Sequence, residues 1–123
     1  MIETIYSFAK TDQKAIERII DSDHLALNHI VLPGGEALPE HHANSNVYMV
    51  VVRGTLTLRL GEQEERSCPA GSIVAIPYRT RMHPLNRGEE VLEFFVVKAP
   101  GPSAIEAMEQ ARGSCNCEDW LTE

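Results

Sequence analysis

At 123 residues and 43% apolar content, the chain has the size and hydrophobicity of one domain built on one core, and two domains are not expected. Its formal charge of −7, from 18 acidic against 11 basic side chains, comes without any basic run, which argues against nucleic acid or an anionic membrane as a partner. The longest apolar stretch, residues 47–52, is too short to span a bilayer, and Met1-Ile2-Glu3-Thr4 lacks the basic start and apolar core of a signal peptide, so a cytoplasmic protein is expected.

In chain order, residues 2–8 read as a short strand. Residues 12–20 place Ala15, Ile16, Ile19 and Ile20 at helical spacing behind a Thr11 or Asp12 cap, which predicts one short helix. From residue 25 onward the pattern changes to short apolar runs separated by turn residues: 25–32, then Pro33-Gly34-Gly35, then 47–52 ending at Arg53-Gly54. Residues 55–60 alternate strictly, with Leu56, Leu58 and Leu60 on one face and Thr55, Thr57 and Arg59 on the other, because successive side chains of a strand point oppositely. Residues 61–65 read as a hairpin connection, Cys68-Pro69-Ala70-Gly71 as a turn into the run 73–76, and Asn86-Arg87-Gly88-Glu89 as another turn. Residues 91–97 are apolar nearly throughout, as in a strand buried on both faces. Ala99-Pro100-Gly101-Pro102 ends the β region, and Ser103 with Glu106 makes a capping-box signature for a helix running to Gly113, which would dock Ile105 and Met108.

Several short strands at turn spacings of roughly 8–12 residues, without intervening helices, predict an all-β antiparallel sandwich or barrel. The expected organisation is an N-terminal strand and helix over residues 1–25, a barrel over 26–98, and a C-terminal helix and tail over 99–123, all in one structural domain.

Two motifs give this a family likeness. Gly71-Ser-Ile-Val-Ala-Ile-Pro77 followed by Asn86 is similar to the second cupin motif, and the segment from Gly34 or Gly35 to Gly54 is similar to the first. The chain therefore resembles a small single-domain cupin, and the resemblance covers roughly residues 26–97. It implies a jelly-roll β-barrel. It also implies a metal site of the iron, manganese, nickel or zinc kind, held by a His-x-His pair, a glutamate and a further histidine. Residues two apart on a strand face the same way, so a His-x-His pair can reach one ion.

The motifs are depleted here. Counting back from Gly54 puts Val47 at the glutamate position, and counting from Pro77 and Asn86 puts Met82 where the second motif has histidine, with His83 one place on. The His-x-His has two registers: one pairs Glu40 with His42, the other pairs His41 with Ala43. A regular strand aims those side chains at the same interior as Val47 and Met82. A bulge would flip the alternation and turn His83 inward, making one or both of His41 and His42, with His83 and Glu40 or Asn46, the candidate metal ligands; Asn46 is also a candidate pocket residue. Otherwise Val47, Met82 and Met49, with Phe94 or Phe95, either line an apolar pocket or simply fill the core. Arg81, sharing a face with Arg79, is a candidate contact for a ligand carboxylate or phosphate, or belongs to a solvated rim. Cys115 and Cys117 supply too few ligands for a metal on their own, and with Cys68 they make an odd number of cysteines, which is no disulfide framework.

Two functions stay open at this point. One is a barrel that binds a small molecule, with or without a divalent metal. The other is a metal-dependent enzyme resembling cupin dioxygenases or isomerases, using inward-facing histidines. A homodimer is the expected assembly.

Overall fold

The structure, a computed structural model, describes residues 2–112. Nine strands precede one helix: β1 (Ala15–Asp21), β2 (Ala26–Leu32), β3 (His41–His42), β4 (Val47–Arg53), β5 (Thr55–Leu60), β6 (Arg66–Pro69), β7 (Ile73–Ile76), β8 (Arg81–Leu85), β9 (Leu92–Lys98) and α1 (Pro102–Arg112). They form a five-stranded sheet in the order β1-β2-β9-β4-β7 and a four-stranded sheet in the order β3-β8-β5-β6. All pairings are antiparallel. The inner faces meet in one apolar core that includes Ile30, Leu32, Val47, Met49, Leu56, Leu58, Met82 and Phe94.

Apolar runs between turn residues carried most of this, and period-2 alternation carried β5. Strand β5 has the expected bounds, and its Leu56 and Leu58 are buried while Arg59 is exposed. Gly54, the closing residue of the first motif, has φ 76° between β4 and β5, and a Cβ there would lie 2.3 Å from the Val91 carbonyl oxygen. Only glycine fits that approach. Buried Asn86, from the second motif, donates from its amide to the Leu32 and Glu90 carbonyls and accepts from the Gly88 N–H, so it pins a turn.

The N-terminal reading needs correction. Residues 2–8 form no strand but an irregular arm, and the expected helix over 12–20 is instead β1, paired along its length with β2. A bulge between Arg18 and Ile20 inserts Ile19 as an extra residue. It breaks the strand alternation and spaces the isoleucines as a helix would. Pairing with β2 then outweighs a weak local preference, as three β-branched residues permit. Two strands gave no clear sequence pattern: β6 is mostly polar, and β8 carries Pro84 inside a strand flanked by β3 and β5.

Strand β9 is buried on alternate positions and half-buried on the others, so its outer face is less covered than an all-apolar run suggests. Helix α1 starts at Pro102, and Gly101 caps it by accepting from Ala104 and Ile105. Ser103 is not the cap; its hydroxyl donates to Asp23. Ile105 is buried as expected, whereas Met108 is exposed. Cys115 and Cys117 lie outside the described residues. Among the described residues, no helix is long and apolar enough to cross a membrane.

Candidate functional site

The sequence-derived site residues separate into three groups. Val47, Met49 and Met82 are at most 2% exposed and pack with Leu56, Leu58 and Phe94 in the core. Glu40, His42, Arg81 and His83 lie toward the outside of the four-stranded sheet: His42 is opposite Arg81, and His83 is opposite Arg59. The pairings of β8 run without a register shift, so no bulge turns His83 inward. His41 shares a face with Met82 but is exposed at the barrel rim, where its Nδ1 donates to the Pro39 carbonyl at 2.8 Å. Asn46 is exposed, and its side-chain oxygen accepts the Tyr78 N–H.

The outer four-stranded face is an ion-pair lattice. Glu40 lies 3.3 Å from Arg59 Nη2 and 3.8 Å from Arg81 Nε, and Arg81 also donates to Glu62 and to the Gly61 carbonyl. The Glu62 carboxylate, with Glu40 behind it, holds the Arg81 guanidinium above its usual pKa. These charges neutralise one another pairwise, and the buried Arg81 Nε has no hydrogen-bond partner among the described residues.

The outer five-stranded face holds a buried polar cluster that motif reading missed. His29, fully buried, has Nδ1 2.6 Å from Glu17 Oε1 and Nε2 2.6 Å from Glu93 Oε2. Ionised carboxylates only accept, so both contacts are hydrogen bonds when both ring nitrogens carry protons. Phe8 of the arm and Phe95 of β9 pack on the imidazole, with ring centroids 4.7 and 4.9 Å away. Arg53 donates to Glu93, Asp12 and the Thr11 carbonyl, while the Ala9 N–H donates to Glu17. That backbone bond, then the bond from His29, holds the Glu17 carboxyl below its ordinary value. The cluster latches the arm to the sheet. A histidine within the mostly apolar β2 and a glutamate within the mostly apolar β9 were its sequence signal, whereas Glu17 lies in β1 beside other charged residues and gave none.

A second missed group lies at one end of the barrel. The inward face of the five-stranded sheet continues past Val47 and Val96 into Lys98, Asn28, Arg18 and Asp21, as the pairings Val47↔Lys98, Asn28↔Val96 and Arg18↔Asn28 require. There polar residues replace the core, and with Asn44 and the first turn of α1 they bound a cleft of about 340 Å³. Burial pushes the Lys98 ammonium below its usual pKa, Arg18 adds to this and Asp21 opposes it. The side-chain oxygen of Asn28 is buried and has no hydrogen-bond partner among the described residues.

Residues 28–98 match the family model described as the cupin domain. This chain belongs to the cupin family. It is 43% identical over 112 residues to the uncharacterised protein MJ0764 of Methanocaldococcus jannaschii, covering 89% of this chain and 95% of that protein. The crystal structure of that protein, described as an RmlC-like cupin with a double-stranded β-helix fold, superposes with a TM-score of 0.83 at 40% identity, over 86% of this chain and 98% of the other. The cupin domain of Schizosaccharomyces pombe Cnp3, 13% identical, shares the fold at a TM-score of 0.67, over 80% of this chain and 69% of that one.

The metal that the family resemblance implies needs at least three donors converging on one point. In this cupin Val47 and Met82 occupy inward positions, His42 and His83 sit on the opposite side of their sheet, and no three His, Cys, Asp or Glu side chains among the described residues are placed to hold an ion. The donor set does not fit the group.

Proposed function

We propose that this cupin is a small-molecule-binding module that uses the polar cleft at the barrel end, without a resident metal, and takes a small organic acid carrying a hydrogen-bond donor. The observation that carries the reading is the unsatisfied chemistry inside that cleft. Lys98 is half-buried and has no ion pair within 4 Å among the described residues, and the Asn28 carbonyl is buried without a donor. A half-buried ammonium and an orphan acceptor both cost folding free energy, and a ligand carboxylate and hydroxyl or amino group would offset both. Arg18 on the same rim adds positive potential, while Asp21 and Glu106 offer acceptors for further donors. The volume of about 340 Å³ suits a molecule at the small end of the usual ligand range.

The test is a thermal-shift titration with acetate, malate, glycine and inorganic phosphate as probes, beside elemental analysis of untagged protein. Malate or glycine should raise the unfolding midpoint more than acetate, because unlike acetate they bring a donor to Asn28. Lys98→Met should abolish the shift while leaving the unliganded midpoint equal to or above that of the parent, since it removes a half-buried charge. Absence of any shift at millimolar probe, or a shift that survives Lys98→Met, would sink the binding reading. Stoichiometric transition metal would sink the metal-free part of it.

A further inference from the structure

The cleft at the barrel end carries charges of both signs, and the pairs they make among themselves leave a definite remainder. Arg18 and Asp21 of β1 lie 4.0 Å apart and balance each other. Lys98 and Glu106 line the same cleft, and neither makes an ion pair among the described residues, so they do not reach each other across it. The buried side-chain oxygen of Asn28 lacks a donor. One cation, one anion and one acceptor are therefore left over.

The fold holds these groups on different sides. Lys98 stands at the end of β9, paired with Ala26 of β2 and Val47 of β4, so it rises from the sheet. Glu106 comes from α1, three positions after Ser103 and on the same helix face. The helix is seated firmly. The Gly101 N–H donates to the Asp23 carbonyl, a Cβ on Gly101 would lie 1.8 Å from the Ser22 carbonyl oxygen, and the Ser103 hydroxyl donates to Asp23. Glu106 is exposed and Lys98 half-buried, so both are open to a molecule that enters.

We infer that the ligand of this cleft is a small α-amino acid in its zwitterionic form, its carboxylate on Lys98 and its ammonium shared between Glu106 and the Asn28 oxygen. The inference rests on the reading of the cleft as the binding site and narrows the class of acid it takes. A hydroxy acid would meet Lys98 and Asn28 but bring a negative charge toward Glu106, and a dicarboxylate would bring two. A simple amine would meet Glu106 and Asn28 and leave Lys98 alone. Only a molecule with both charges meets all three, since an ammonium has three donors and a carboxylate accepts. The Arg18–Asp21 pair adds no net charge, which suits a net-neutral ligand. A volume of about 340 Å³ keeps the side chain short.

Titration calorimetry of the whole chain with isosteric pairs, glycine against glycolate and alanine against lactate, tests this. Each amino acid should bind at least about fivefold more tightly than its hydroxy counterpart, because an ionised donor makes the stronger bond and gains an opposite charge. Methylamine, which keeps the ammonium alone, should bind more weakly than glycine. Glu106→Gln changes an exposed side chain. It should weaken glycine while leaving glycolate bound equally or more tightly, bringing their ratio below about twofold. A purely structural role for Glu106 would move both ligands the same way. Equal affinities within each pair, methylamine binding as tightly as glycine, or a preference unchanged by Glu106→Gln would overturn the amino-acid inference and leave the cleft a site for small acids. Binding by none of these probes would overturn the site itself and the inference with it.

Discussion

The two outer faces of this barrel use opposite chemistry. The four-stranded sheet turns Arg59, Arg81, His42 and His83 to water and ties its arginines to Glu40 and Glu62 in exposed pairs. The five-stranded sheet instead shows an apolar face, part of it sealed by the arm over a fully buried histidine between two carboxylates. Charge at a solvated face is individually cheap and contributes little stability, whereas charge under a cover must be partnered and is costly to disturb. The side chains that resemble a family metal set lie on or beside the cheap face, and the polar cluster that holds structure together lies on the costly one.

The largest expected effect breaks that contrast directly. His29→Ala leaves Glu17 and Glu93 without their shared donor and opens a cavity, so it should lower the free energy of unfolding by about 3 kcal/mol. Under the same urea titration His83→Ala should stay within roughly 0.5 kcal/mol of the parent. Equal losses would mean that the two faces do not differ as described.

Removing the arm through Asp12 comes next. It uncovers His29 and Phe95 and frees Arg53, and should cost about 2 kcal/mol, on the scale of one large apolar side chain and its bonds. Amide hydrogen exchange in β1 and β2 should rise with it.

Acid sharpens the comparison further. The Glu17 carboxyl lies below its usual 4.5, held there first by the Ala9 N–H and then by His29. A lowered carboxyl contributes stability that is present above the ordinary value and is lost as pH falls through the folded one. The midpoint of thermal unfolding should therefore drop as pH is taken from about 5 to about 3, and Glu17→Gln should flatten part of that slope. Glu65, lowered first by its bond from Arg87, adds a similar acid-sensitive contribution from an exposed pair. Glu65→Gln should flatten the slope less than Glu17→Gln, because solvent screens its pair.

The smallest expected effect is the coupling of Arg59 with Glu40. A double-mutant cycle across this pair, 3.3 Å apart and open to solvent, should return no more than about 0.5 kcal/mol. A larger value would place real structural weight on the polar face.

Much of the fold was legible in the chain. Strands β2, β4, β7 and β9 follow from short apolar runs between turn residues, β5 from strict period-2 alternation, and α1 from a break followed by helix-compatible residues. The error over residues 12–20 came from a bulge, since one inserted residue gives a strand the spacing of a helix. Within the site, the depletion at Val47 and Met82 was readable from motif spacing, and both side chains are in the core. The direction of His83 followed from plain alternation once the pairing of β8 ran without a shift.

The amino-acid order by itself determined the cupin barrel and the apolar character of the positions where the family resemblance places metal ligands, because periodicity, turn chemistry and motif spacing are local properties. Only the tertiary structure decided which polar residues meet. His29 joins partners 12 and 64 positions away, and Arg18, Asn28 and Lys98 come from three strands whose register brings them to one rim. Such meetings depend on sheet order and on where an arm comes to rest, and side-chain periodicity carries no information about either.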